Sequence, residues 1–132
     1  MKKTEGTLSK DDTKKVTVLY MAFELSHKIW KLAFSDGQKM RTVSMEARNL
    51  EVLQEEIEKA KKKFKLQGAV RIVSCYEAGR DGFWLHRYLI SCGIENLVVD
   101  SASIEVSRRK RRTKTDRIDA KKLLNLLMRY NG

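Results

Sequence analysis

The sequence predicts an α/β fold built on a mixed five-stranded sheet, three antiparallel strands followed by two parallel ones, flanked by helices. Three observations predict it. The opening apolar runs are short and joined by polar turns, one of them Ser35-Asp36-Gly37-Gln38, and Asp-Gly is a strong hairpin signal. After residue 46 the apolar spacing changes from two to three and four, the period of a helix. Beyond Gly68, strand and helix patterns alternate, and strands of one sheet joined through helices run parallel with right-handed crossovers. At 132 residues the chain has the size of one domain, able to bury roughly two-thirds of its unfolded surface.

Each element has its own warrant. MKKTEGTLSKDDTK, residues 1–14, is polar and aperiodic and reads as a disordered tail, leaving 15–132 as the domain. From Val16, VTVLYMAFE is apolar on both alternating sets, the mark of a central strand covered on both faces. KIWKLAF, Lys28 to Phe34, is the second strand, and MRTVS is the third. Leu50, Leu53, Ile57, Ala60 and Phe64 then form the apolar stripe of a helix. Glu46 lies near its start and Lys61 to Lys63 near its end, as the helix dipole favours. VRIVSCYE is the fourth strand. Asp81 is placed to cap a short helix through FWLHRYLIS that stops at Gly93, and NLVVD, Asn96 to Asp100, is the fifth strand. The last helix is expected from near Thr115, with Ala120, Leu123, Leu124, Leu127 and Met128 on one stripe. Projected backwards at about 100° per residue, that stripe reaches Asp116 and, at its edge, Asp119, while Arg117, Lys121, Lys122 and Arg129 lie on the other side. Proline is absent and no Gly/Ser linker interrupts the chain, so a second domain is not expected.

The formal net charge is +11, which favours a polyanionic partner, nucleic acid before an anionic membrane. No run of about 18 apolar residues and no signal pattern occurs, so a cytoplasmic protein with no membrane partner is expected. Cys75 and Cys92 read as reduced, packed thiols, and His27 and His86 are isolated, so no zinc ligand set is visible.

The acids are placed more tellingly. Glu24 closes the first strand and Glu77 the fourth. If those strands are neighbours, both carboxylates reach one sheet edge, and the last helix brings Asp116 and Asp119 as two more. Four converging carboxylates repel one another by several kcal/mol at low dielectric unless cations are bound. Paired Mg²⁺ or Mn²⁺ ions about 4 Å apart resolve the repulsion and serve phosphodiester chemistry. The plainer alternative is that the aspartates complement a helix N-terminus and the glutamates are ordinary strand ends. The basic run Arg108, Arg109, Lys110, Arg111 and Arg112, with Lys114 and Arg117, is either a solvated segment or a grip on phosphate beside the acids. Trp84 and Tyr88, four apart on one helix, either stack a base or pack on the sheet.

The ordered set Y-E-A-G (76–79), V-D-S-A-S-I-E-V (99–106) and K-T-D-R-I-D-A (114–120) resembles the amino-terminal domain of the DEDD, RuvC-like transposases of the insertion-sequence one-ten group. The similarity is densest from Tyr76 to Leu127, with the strand-hairpin opening consistent from about Val16. It implies a ribonuclease-H-like fold and a Mg²⁺ tetrad that falls on Glu24, Glu77, Asp116 and Asp119. Glu24 departs from the pattern, which expects aspartate there. In the family a carboxy-terminal domain supplies a serine nucleophile and a guide RNA selects the DNA. The resemblance therefore implies a fragment without its serine domain, with metal binding and nucleic-acid affinity but not complete recombination. The partners it implies are DNA, a guide RNA for the whole enzyme, and further copies in a homo-oligomer on nucleic acid. The competing readings are a stand-alone RuvC-like junction resolvase or nuclease and a non-catalytic basic nucleic-acid-binding module. A sugar-kinase or actin-like ATPase wants glycines after the first strand, where Leu25-Ser26-His27 stands.

Overall fold

Side chains alternate across a strand, and in β1 (Thr17–Glu24) that alternation sends Leu19, Met21 and Phe23 to one core and Ala22 to another. The computed structural model describes residues 17–79, 83–100 and 118–131. Strand β2 (Ile29–Ser35) pairs antiparallel with β1, from Tyr20↔Ser35 to Glu24↔Lys31. Strand β3 (Met40–Glu46) pairs antiparallel with β2, from Ser35↔Met40 to Ile29↔Glu46. The Asp-Gly turn between them is built as expected: Asp36 Oδ1 accepts the backbone N–H of Gln38 at 2.9 Å and of Lys39 at 2.8 Å, and Gly37 takes φ +102°.

Helix α1 (Leu50–Lys63) starts at Asn49, whose side chain accepts the Val52 N–H at 3.1 Å, and ends in Lys61, Lys62 and Lys63. Its buried stripe is Leu53, Ile57 and Ala60. Strand β4 (Val70–Glu77) then runs parallel to β1, from Thr17↔Val70 to Phe23↔Tyr76. Helix α2 (Trp84–Ser91) leads to β5 (Glu95–Val99), parallel to β4. Helix α3 (Ala120–Asn131) completes the described elements. The sheet order is β3-β2-β1-β4-β5, a mixed α/β sheet with β1 at its centre.

The two faces carry different cores. On one, Phe23 meets Trp30 and Tyr76 edge-on at 5.9 and 6.3 Å, under Leu53 and Ile57 of α1 and Leu85 and Leu89 of α2. On the other, the paired alanines Ala22 and Ala33, with Val73 and Cys75, receive Leu123, Leu124 and Leu127 of α3. Small residues at the sheet centre let that helix approach closely.

Several expectations shift. The last helix begins at Ala120, later than expected, and Thr115 lies outside the described residues, as does Asp81. Strand β5 is displaced by one residue from Asn96–Asp100. Cys75 is buried, but Cys92 is exposed rather than packed, because it lies in the turn just after the last residue of α2. Trp84 lies 6.2 Å from Trp30, and the Tyr88 hydroxyl accepts a 2.9 Å bond from Gln54 Nε2, so both aromatics pack against the core. Among the described residues, no helix is long and apolar enough to cross a membrane.

Candidate active site

The last register pair of the two central parallel strands is Phe23↔Tyr76, so Glu24 and Glu77 come next, on adjacent strands about 4.8 Å apart. They share the sheet face of Ala22 and Cys75, the one covered by α3. The chain returns to this edge at Ile118, whose side chain is buried in the α3-side core. There the Ile118 N–H donates to Glu77 Oε1 at 3.4 Å and the Ala120 N–H to Glu24 Oε1 at 3.2 Å. Two strand-end carboxylates thus take the N–H groups of alternate residues where the chain enters α3. Ala120 opens α3, so its N–H has no partner within the helix, and the positive end of the helix dipole favours the Glu24 charge beside it.

Asp119 lies between these contacts. Its Oδ1 accepts the Lys122 N–H at 2.9 Å and its carbonyl oxygen accepts the Leu123 N–H at 3.0 Å, the bonds of a helix N-cap. The side chain is exposed rather than directed inward. Backward projection of the apolar stripe fails there because residue 119 precedes the first helical turn. Asp119 and Glu24 nevertheless line one cleft of about 420 Å³, together with Lys31, Thr42, Ser44 and Lys121. Sequence reasoning singled out neither Lys31 nor the two hydroxyls. Lys31 is a lone cation within an apolar strand, and only its register opposite Glu24 reveals where it stands.

The structure therefore brings Glu24, Glu77 and Asp119 to one edge of the sheet. Asp116 and the basic residues Arg108, Arg109, Lys110, Arg111, Arg112, Lys114 and Arg117 lie outside the described residues. Among the described residues, no three of His, Cys, Asp and Glu gather closely enough to hold a metal. The donors are hard carboxylate oxygens, and Mg²⁺ commonly takes only one or two carboxylates, completing its octahedron with water and phosphate oxygens. The Ala120 N–H occupies one of the roughly four lone-pair sites that a carboxylate such as Glu24 offers. The donor chemistry fits such an ion without forming a closed cage.

No protein-family model matches the chain. It is similar to the Sinorhizobium fredii protein named "Putative transposase y4rJ", with 37% identity over 117 residues. That match takes in 85% of this chain, and the chain spans 30% of the relative's length.

Proposed function

We propose that this chain is the metal-dependent catalytic domain of a DNA transposase or recombinase, acting on phosphodiesters by cleavage and strand transfer. The transposase-named relative supports the general class, and its much greater length supports a domain of a larger enzyme. The observation that carries the catalytic reading is the meeting of Glu24 and Glu77 with the Ile118–Ala120 segment, which sets Asp119 between them. Glu24, Glu77 and Asp119, with Asp116, would hold Mg²⁺ or Mn²⁺ in a ribonuclease-H-like, DEDD arrangement. When bound, such ions activate a nucleophile and stabilise a leaving oxygen of a phosphodiester. The Glu24 and Glu77 carboxylates also fix the start of α3, so the acids that receive the ion and the helix that carries Asp119 are positioned together. Arg108 to Arg112, Lys114 and Arg117 hold the DNA backbone beside them. A serine-bearing domain, a guide RNA and a homo-oligomer on nucleic acid complete the proposed enzyme.

Calorimetry with Mn²⁺ tests the tetrad on the full chain. The heat of binding is expected to vanish in Glu24→Gln/Glu77→Gln and in Asp116→Asn/Asp119→Asn, and unchanged binding in either double variant overturns the tetrad. One observation favours a second reading: Glu24, Glu77 and Asp119 each have a backbone N–H partner, so they have structural work without any metal. A basic nucleic-acid-binding module of that kind binds DNA with strong salt dependence and no response to Mg²⁺.

A further inference from the structure

We propose that the cleft beside Glu24 seats the sugar-phosphate backbone of a single DNA strand, with Lys31 and Lys121 as its phosphate contacts. The proposal deepens the transposase reading and rests on it. Sheet register builds one wall. Glu24 pairs with Lys31 and Lys31 with Ser44, so the three residues form a row across β1, β2 and β3 on one face. Thr42 stands in the next row on that face, opposite Ala33. The start of α3 builds the other wall, bringing Asp119 and Lys121 across from the row.

Charge and size then select the ligand. Among the described residues neither Lys31 nor Lys121 takes part in an ion pair, whereas Arg41, Lys59, Lys61 and Arg71 are each paired with a glutamate. Although Glu24 is opposite Lys31, its Oε1 is engaged by the Ala120 N–H. Glu24 and Asp119 balance the two lysines in formal charge, but Glu24 Oε1 takes the Ala120 N–H and Asp119 Oδ1 the Lys122 N–H. The two exposed ammonium groups with two hydroxyls are donors suited to phosphate oxygens. The volume of about 420 Å³ lies near the low end of the roughly 300–1,000 Å³ of small-ligand pockets, room for a short stretch of strand but not for a double helix. Among the described residues no aromatic ring lines the cleft, so the contact rests on the backbone and is independent of sequence. The strand so held passes directly beside Glu24 and Asp119.

Fluorescence anisotropy of labelled single-stranded DNA against the full chain, in EDTA and at stepped salt concentrations, tests this. Each phosphate contact on a single strand contributes about 0.7 to the slope of log affinity against log salt, so Lys31→Gln/Lys121→Gln should flatten it by about 1.4. A charge-matched control, Lys62→Gln/Lys63→Gln on the exposed end of α1, should leave the slope nearly unchanged, and thermal melting checks that both variants fold. An unchanged slope in the cleft variant overturns the proposal, and so does equal flattening in both variants, which would report diffuse charge. Flattening confined to an RNA oligonucleotide of the same sequence overturns the assignment to DNA. Because no divalent ion is present, failed Mn²⁺ binding in the calorimetry counts against the catalytic function and leaves this result as it stands.

Discussion

Cys75 and Cys92 show how one residue type is set to opposite chemistry by its surroundings. Cys75 is buried under α3 with Sγ 3.5 Å from the Leu123 carbonyl oxygen, and burial pushes its thiol from 9.0 up to about 12. The native state therefore keeps a proton that the unfolded chain releases above about pH 9. The stability due to that difference is complete below pH 9 and is lost as pH rises toward 12, by roughly 1.4 kcal/mol per unit. Urea midpoints should accordingly fall less between pH 9 and 10 in Cys75→Ala than in the wild type, and equal falls would show that burial of this thiol is not responsible. A thiol reagent at pH 8 should titrate Cys92 alone in the native protein and both cysteines in denaturant. Sequence indicated two unpaired thiols; only packing distinguished them.

At the scale of elements, the start of α3 combines a structural and a proposed chemical task. Asp119 caps the helix through Lys122, and that task needs an acceptor oxygen rather than a charge. Asp119→Ala should therefore cost about 1 kcal/mol in urea denaturation, while Asp119→Asn, an equally good cap, should cost almost nothing. Loss of Mn²⁺ binding in a stable Asp119→Asn protein would assign the charge to the metal. Equal destabilisation by both substitutions would show that the cap does not account for Asp119. The amphipathic pattern of α3 was legible from Ala120 to Met128, but the residues just before its first turn were not. Helix periodicity has no authority over residues that precede the helix, and the N–H groups of Ile118 and Ala120 are claimed by acids from distant strands.

For the molecule as a whole, one helix covers one face of the sheet among the described elements. Leu123, Leu124 and Leu127 meet Ala22, Ala33 and Cys75 across a gap of many residues in sequence. Leu123 is fully buried, and Leu123→Ala should destabilise the fold by about 2–5 kcal/mol, measured as a lower urea midpoint. The same variant should expose Cys75 to thiol reagents, because the side chain removed belongs to the cluster around it. Destabilisation without any change in Cys75 reactivity would mean that the cavity closes by collapse elsewhere.

The sequence by itself determined the kinds of elements and their order. Period two, period three-to-four and the Asp-Gly turn are local signals, set by side-chain geometry within a few residues. It also marked Glu24, Glu77 and Asp119 as acids at element ends, although it could not decide between cap and site. Tertiary structure alone decided that β1 and β4 lie side by side, that Asp119 is an exposed cap, and that Lys31 stands opposite Glu24. These are facts of register and chain return, fixed by pairings between residues as much as 96 positions apart, as Glu24 and Ala120 are. No local spacing encodes such pairings; they follow from burying both faces of one sheet at once.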